Sequence, residues 1–222
     1  MAHILPFYLV CDESGSMEGD PIKEINSSLS DIHHEVRSNP VVAGKTRLCI
    51  IGFSGTARIV LPLRDLSAVS SMPLVRRRPT GTKYGKAFKL LFDTITDDVR
   101  RLEANGNQVY QPAVFFLSDG KPKDKKWRIT YERVADTRWS LHPSIYAFGF
   151  GGVDRATLKQ VATVRAFIAD QEMRPAAALR EFAGWLIKAI IDSGTRPAAP
   201  NGPIITASDN IPGFTTLQGD QT

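Results

Sequence analysis

The chain has 222 residues, the length of one ordinary domain or of two small ones. Its content of 42% hydrophobic and 23% charged residues is that of a globular protein, which excludes wholesale disorder. The net charge of +5 falls well short of the dense basic clustering of a dedicated nucleic-acid binder, and two cysteines are too few for a secreted disulfide scaffold.

Six apolar runs predict the β-strands. In chain order they cover residues 4–11, 48–53, 57–61, 113–117, 144–150 and 164–169. Five of them are typical of buried strands in a largely parallel sheet. The run 57–61 follows its predecessor after a very short connection, which predicts an antiparallel hairpin because a parallel crossover needs about a dozen residues or more.

Amphipathic helices are predicted between the strands. They cover residues 20–36, 83–102, 125–139, 154–163 and 175–193. Asp20, Pro21 and Asp154 are start signals, and Gly194 is a stop signal for the last helix. The alternation of strands and helices predicts an α/β, Rossmann-like, doubly wound domain. It would have a mostly parallel six-stranded sheet, one antiparallel edge strand and helices on both faces.

The predicted domain occupies residues 1–194. Residues 195–222 are rich in Pro, Gly and Thr and are predicted to form a flexible C-terminal tail, in which residues 204–205 and 211–217 are apolar enough to dock on the domain or on a partner. The N-terminal apolar run is too short for a signal sequence and lacks a cationic flank. We therefore expect a cytoplasmic protein with no membrane contact, whose Cys11 and Cys49 are buried, reduced thiols.

Two acidic residues directly follow apolar strands. Asp12 ends the first strand, and Asp119 follows the strand at 113–117. Open α/β sheets place their sites beyond the carboxyl ends of the strands, so both carboxylates are expected at one edge. Ser14 and Ser16 add hydroxyls next to Asp12. Such hard oxygen groups suit a small divalent cation.

Three motifs occur in order along the chain. They are Asp12-x-Ser14-x-Ser16, Gly81-Thr82 before a helix, and Ser118-Asp119-Gly120 after a strand. Together they resemble the von Willebrand factor A domain, over roughly residues 4–193. The resemblance implies a metal-ion-dependent adhesion site for Mg²⁺, Mn²⁺ or Ca²⁺, with these ligands: Asp12, Ser14, Ser16, Thr82 and Asp119. Relatives commonly have Gly-Gly-Thr where this chain has Thr80-Gly81-Thr82. The hydroxyl of Thr80 is therefore an alternative to that of Thr82 as the metal ligand.

Residues 6–17, 62–63 and 116–122 resemble one branch of that family, the bacterial cytoplasmic domains associated with tellurite resistance. Such domains are often encoded beside protein kinases and phosphatases. The resemblance implies a metal-dependent docking module, a scaffold in a stress-response system, with a kinase or phosphatase as its partner and no catalytic residues of its own.

The charge balance predicts how such a module would bind. Two carboxylates and one divalent cation sum to zero, so an open metal position accepts an Asp or Glu carboxylate, or a phosphate oxygen, from a partner. Basic residues flank the metal-bearing loops and are expected to make the mouth of the site positive. The candidate partner-binding residues are Arg76, Arg77, Arg78, Lys83, Lys86 and Lys121.

Two other function classes stay open. One is a metal-assisted phosphohydrolase, and the other is a nucleic-acid binder that uses the basic edge, which predicts steep salt dependence. A P-loop and a serine-hydrolase elbow are excluded because no segment has the required spacing. His33 and His34 are expected on the helix surface, because adjacent helical residues point about 100° apart and cannot readily share a metal.

Overall fold

The computed structural model describes residues 2–78, 80–195 and 210–219. The strands are β1 (His3–Asp12), β2 (Thr46–Phe53), β3 (Ala57–Arg64), β4 (Gln108–Val109), β5 (Ala113–Ser118), β6 (Ser144–Gly149), β7 (Arg165–Ala169) and β8 (Phe214–Gln218). The helices are α1 (Asp20–Arg37), α2 (Pro40–Lys45), α3 (Tyr84–Ala104), α4 (Trp127–Ala135), α5 (Arg155–Val161) and α6 (Pro175–Thr195). Short 3₁₀ turns cover Gly15–Met17 and Leu66–Ala68.

All described strands join one sheet, in the order β3-β2-β1-β5-β6-β7-β8, with the short β4 pairing with the start of β1. The central pairs are parallel, whereas β2–β3 and β7–β8 are antiparallel. The predicted doubly wound, mostly parallel sheet and its hairpin are therefore confirmed. The strand number differs: within the described residues the sheet has eight strands where six were predicted, and both of its edges are antiparallel.

The additional edge strand lies in the segment predicted to be a flexible tail. Over residues 210–219 that prediction is wrong, because β8 pairs with β7 along its whole length and Ile211 and Phe214 are buried against the core. Of the two partners that the apolar residues 211–217 were expected to be able to contact, the domain is the one on which they pack. Residues 196–209 and 220–222, which include the apolar pair 204–205, lie outside the described part of the chain.

Gly194 does not end the last helix, since α6 continues to Thr195. A methyl group on Gly194 would lie 3.1 Å from a methyl carbon of Val42. Glycine therefore serves close packing against α2 at this position rather than a left-handed cap. The short helix α2 was not predicted. Pro40 begins it, and the Asn39 side chain caps it by accepting a hydrogen bond from Val42 N.

The sheet separates two apolar layers. Leu5, Phe7 and Leu9 of β1 point toward α1 and α6, while Tyr8 and Val10 point toward α3 and α4. This alternation explains why the central strands are apolar at every position, since each face contacts a helix layer. Helices on both faces of the sheet are thereby confirmed.

The two cysteines lie on neighbouring strands but face opposite layers, Cys11 toward α1 and Cys49 toward α3. Both thiols are free and buried, as predicted, and their opposed directions prevent a bridge. The expectation that His33 lies at the surface is wrong. Its ring nitrogen is 2.8 Å from Val69 O, because the 3₁₀ turn after β3 packs over that face of α1. His34 is exposed.

Candidate metal centre

The site is built where β1 and β5 end side by side. Cys11 pairs with Leu117 in register, so Asp12 and Ser118 emerge next to each other. The Asp12 carboxylate is completely buried. One of its oxygens accepts a hydrogen bond from Ser14 N at 2.9 Å, and the other accepts one from the Ser118 hydroxyl at 2.7 Å. These two bonds fix the orientation of the carboxylate.

The hydroxyls that follow Asp12 connect the β1 loop to the β5 loop. Ser14 Oγ lies 3.2 Å from Ser16 Oγ, and Ser16 Oγ donates a hydrogen bond to Asp119 Oδ1 at 2.9 Å. The 3₁₀ turn at Gly15–Met17 brings the two serines together. Four of the five predicted ligands therefore form one connected group of oxygen atoms.

Thr82 approaches the same group from the loop before α3. Its hydroxyl lies 3.7 Å from the position of a methyl group on Gly120, the residue after Asp119. Gly81 has a φ of +106°, a conformation that L side chains rarely adopt, so glycine is needed for this approach. Thr82 O accepts a hydrogen bond from Lys123 N at 2.7 Å, which joins the loop before α3 to the loop after β5.

The rival hydroxyl of Thr80 is engaged elsewhere. Thr80 Oγ1 lies 3.0 Å from Ser54 Oγ and accepts a hydrogen bond from Gly55 N at 3.1 Å. Thr80 thus holds its loop against the β2–β3 hairpin. Between the two threonines, Thr82 is the one whose hydroxyl lies beside the Asp119 loop.

Burial dominates the electrostatics of the two carboxyl groups. It raises the pKa of Asp12 to about 6, against the hydrogen bonds from Ser118 and Ser14, and the charge of Asp119 raises it further. Burial also raises the pKa of Asp119, while the Ser16 hydrogen bond opposes the shift. A divalent cation would relieve this cost by giving both carboxylates an opposite charge.

The donor set fits a hard cation. In the described part of the chain, no three His, Cys, Asp or Glu side chains gather as a metal-binding group. The candidate site instead combines two carboxylates with serine and threonine hydroxyls. Oxygen-only sites of this kind suit Mg²⁺, Mn²⁺ and Ca²⁺, whereas thiolate and imidazole ligands favour softer metals.

Four of the six basic residues predicted to bind a partner lie together. Arg76, Arg77, Arg78 and Lys83 line an open cleft of about 560 Å³, with Gly55, Thr56 and Thr80. Lys86 is exposed on the first turn of α3. Lys121 forms an ion pair with Asp154 at 3.2 Å instead of lining the cleft.

Three further residues position the site. Ser118 holds Asp12, a role that was not predicted, although it lies in the same motif as Asp119. The Asp124 carboxylate accepts hydrogen bonds from Tyr84 N and Gly85 N at 3.1 and 2.7 Å, and so caps α3 from another loop. Nothing in the local spacing indicates that role.

The third residue is Glu13. Its place in the sequence allows either a role beside the cation pocket or simple exposure, and the structure shows it only 1% exposed. Its Oε1 accepts a hydrogen bond from Arg58 Nη2 at 2.6 Å, and its main-chain oxygen accepts one from Arg78 N at 2.6 Å. A methyl group on Gly52 would lie 2.4 Å from Glu13 Cδ. Gly52 on β2 therefore leaves the space that the buried carboxylate occupies.

Comparison with known proteins agrees with this geometry. The family model of the von Willebrand factor type A domain matches residues 7–180. The chain belongs to the von Willebrand factor type A domain family. By resemblance, the adhesion-site motifs of this family fall in three loops of this chain. These are the loop after β1, the loop before α3 and the loop after β5.

Among curated proteins, matrilin-1 from Mus musculus is 25% identical to this von Willebrand factor A domain over 158 residues, which are 69% of this chain and 30% of the matrilin. Human matrilin-1 has the same identity and coverage. The chain thus spans less than a third of the length of these relatives. No helix in the described ranges combines the length and the apolar character needed to cross a bilayer.

Solved structures show the same fold. The pilus adhesin SpaC from Lactobacillus rhamnosus GG superposes with a TM-score of 0.65 at 15% identity, over 86% of this chain and 30% of the adhesin. Proximal thread matrix protein 1 from the mussel byssus superposes with a TM-score of 0.60 at 17% identity, over 86% of this chain and 48% of that protein, in a form whose adhesion-site motif holds zinc.

Proposed function

We propose that this von Willebrand factor A domain is a metal-dependent protein-interaction module. Asp12, Ser14, Ser16, Thr82 and Asp119 would hold one divalent cation, with Mg²⁺ as the expected ion and Mn²⁺ or Ca²⁺ as alternatives. A protein partner would supply an Asp or Glu carboxylate, or a phosphate oxygen. The observation that carries the proposal is the hydrogen bond from Ser16 to Asp119, which joins the two carboxylate-bearing loops around one group of hard oxygens.

The residues have distinct roles in this proposal. Ser118 and Ser14 N hold the Asp12 carboxylate in one orientation, so little reorganisation is needed when the ion binds. Asp119 is half-buried and sits at the opening, with Ser16 exposed beside it. When bound, the cation supplies an electrophilic position, and its charge is balanced by the two carboxylates. An incoming anionic oxygen would therefore meet little repulsion from the site.

The comparisons support this class of function. The solved relatives include an adhesin and a matrix protein, and one of them carries metal in the corresponding motif.

The test separates the metal from the partner. Titration of Mn²⁺ followed by electron paramagnetic resonance should give one site in the wild type and none in Asp119→Ala. The matched control is Asp97→Ala, an exposed carboxylate on α3. If Asp119→Ala is folded, as measured by circular dichroism, and still binds Mn²⁺ as tightly as the wild type does, the assignment is refuted.

The resemblance to the bacterial branch associated with tellurite resistance narrows the proposal to a cytoplasmic scaffold with a kinase or phosphatase partner. This finer proposal rests on the sequence runs 6–17, 62–63 and 116–122. Its test is whether a kinase or phosphatase encoded beside this chain binds it in Mg²⁺ and is released by EDTA. Binding that ignores EDTA and Asp119→Ala would count against it.

The alternative classes give different results in the same assays. A metal-assisted phosphohydrolase would turn over an aryl phosphate and would lose that turnover in Asp12→Ala. A nucleic-acid binder would bind oligonucleotides with steep salt dependence and without any effect of EDTA.

A further inference from the structure

The basic cleft beside the metal centre is a defined concavity rather than a dispersed patch. Its volume is about 560 Å³, and one wall is formed by Arg76, Arg77 and Arg78. Gly55 and Thr56, from the connection between β2 and β3, also line it, with Thr80 and Lys83. The cleft therefore places four cationic side chains around one open concavity.

The charges of the cleft are only partly compensated. Within the described ranges, Arg76 and Lys83 form no ion pair, and Arg77 pairs with Glu18 at 3.1 Å. Glu18 is 64% exposed, so this ion pair is weakened by solvent and readily exchanged for a ligand. Arg78 lies 3.9 Å from Glu13. The cleft thus keeps a surplus of positive charge.

Glu13 holds the main chain of the arginine wall (Arg76, Arg77 and Arg78) in place. Arg76 N donates to Glu13 Oε1 at 3.3 Å, and Arg78 N donates to Glu13 O at 2.6 Å. The Glu13 carboxylate is in turn held by Arg58 at 2.6 Å. Because the backbone of the arginine wall is held by a buried residue, an anion would enter a preformed site and would order little chain on binding.

The cleft adjoins the metal centre through consecutive residues. Glu13 lies between Asp12 and Ser14, and Lys83 follows Thr82. Adjacent Cα atoms are about 3.8 Å apart, so the two sites share one edge of the domain. One short segment of a partner is long enough to reach both.

We propose that this cleft binds a phosphate monoester carried by a protein partner, next to the metal that takes a neighbouring acidic side chain. Arginine suits this ligand because its planar group donates two parallel hydrogen bonds to phosphate oxygens. A phosphoserine or phosphothreonine carries a charge of about −1.5 to −2, which matches the surplus of the cleft. The metal contact rests on the function proposed above, whereas the phosphate contact requires no metal.

A protein phosphate fits the cleft better than a nucleic acid does. The exposed carboxylate of Glu18 borders the cleft through its ion pair with Arg77. A nucleic-acid backbone would bring a row of phosphates past this carboxylate, while a single phosphate group avoids it.

The experiment uses the full chain and three fluorescent probes. They are a degenerate peptide library that contains phosphoserine flanked by Asp and Glu, the same library with serine, and a single-stranded oligonucleotide. Binding is followed by anisotropy in EDTA and in Mg²⁺. We expect phosphopeptide binding in both conditions, with tighter binding in Mg²⁺, and at least about tenfold weaker binding of the serine library.

Variants separate the two contacts. Arg76→Ala/Arg77→Ala should weaken phosphopeptide binding about tenfold or more and leave Mn²⁺ binding unchanged. Arg100→Ala, which removes an exposed charge on α3, should change neither. Asp119→Ala should remove the effect of Mg²⁺ and retain phosphate binding in EDTA.

Three results would contradict the proposed phosphate site. Equal affinity for the two peptide libraries would overturn the phosphate site. So would a loss of phosphopeptide affinity in Arg100→Ala as large as that in Arg76→Ala/Arg77→Ala. Mn²⁺ binding tests the metal centre separately in either case. Tighter binding of the oligonucleotide through Arg76 and Arg77 would assign the cleft to nucleic acid instead.

Discussion

The hydroxyl of Ser118 donates a hydrogen bond to the carboxylate of Asp12 across 2.7 Å, at the point where the pairing of β1 and β5 ends. This bond is buried, and it holds one of the predicted metal ligands. It joins the two strands that carry the acidic residues, so the distance between the two carboxylate-bearing loops depends on it.

Ser118→Ala should therefore weaken both the site and the fold. Removal of the donor leaves a buried carboxylate oxygen without its partner, which costs about 1–3 kcal/mol of the free energy of unfolding. Mn²⁺ affinity should fall severalfold because Asp12 loses its fixed orientation. Urea denaturation and Mn²⁺ titration measure the two effects, with Ser30→Ala on the exposed face of α1 as the control. An unchanged affinity would show that Ser118 does not position Asp12.

Asp12→Asn should stabilise the metal-free protein and abolish its response to Mg²⁺. The pKa of Asp12 is raised to about 6, mainly by burial, so the folded state binds this proton more tightly than the unfolded state does. The contribution of Asp12 to stability is therefore full below about pH 4 and decreases as the pH rises through 6. The oxygen of an asparagine can still accept the hydrogen bond from Ser14 N, while its amide N–H donates to the Ser118 hydroxyl and so reverses the direction of that bond. Because asparagine carries no charge, the decrease is removed. Chemical denaturation in EDTA at pH 5 and pH 7.5 tests this, and a larger decrease in the variant than in the wild type would contradict it.

The two threonines of the third motif should behave differently. Thr82→Val removes the hydroxyl beside the Asp119 loop and should lower Mn²⁺ affinity about tenfold with little change in stability. Thr80→Val loses the contacts with Ser54 and Gly55 and should cost about 0.5–1.5 kcal/mol of the free energy of unfolding per lost hydrogen bond. The reverse pattern would make Thr80 the metal ligand.

Gly52 and Glu13 should be energetically coupled. A methyl group on Gly52 collides with the Glu13 carboxylate, so Gly52→Ala should destabilise the domain by about 1–3 kcal/mol. In a Glu13→Ala background the space is free, and the same change should cost much less. A double-mutant cycle by urea denaturation measures the coupling, for which about 0.5–3 kcal/mol is expected. Additive effects would mean that the backbone of β2 absorbs the methyl group.

The C-terminal segment 210–219, which contains β8, should contribute to the stability of the whole domain. Ile211 is buried in the layer beneath α6, so Ile211→Ala should cost about 2–5 kcal/mol of the free energy of unfolding. Val41→Ala on the exposed side of α2 is the matched control. If Ile211→Ala unfolds at the same midpoint denaturant concentration as the wild type, the C-terminal segment does not contribute to the stability of the domain.

Much of this architecture follows from local sequence signals. A strand that is buried on both faces must be apolar at every position, so the polar residue that ends it is visible in the sequence. This is why Asp12 and Asp119 were correctly expected at one edge of a parallel sheet. The same logic located the hairpin, since so short a connection permits only one direction.

The features that were missed depend on distant parts of the chain. Asp124 caps a helix that begins 40 residues earlier, and no short-range spacing indicates that bond. His33 is buried because Val69 and Leu66 pack over α1, which the periodicity of the helix alone does not show. The strand β8 forms because β7 has an open edge to pair with, and that edge exists only in the folded sheet.

The antiparallel course of β8 carries the chain away from the metal-bearing edge. Phe214 pairs with Ala169 at that edge, and Gln218 pairs with Arg165, which the registers of β6, β5 and β1 place level with Leu9 in the middle of the sheet. His3, at the start of β1, lies at the end of that strand opposite to Asp12. A sensor chip coupled at this end of β1 would leave the docking edge facing the solution.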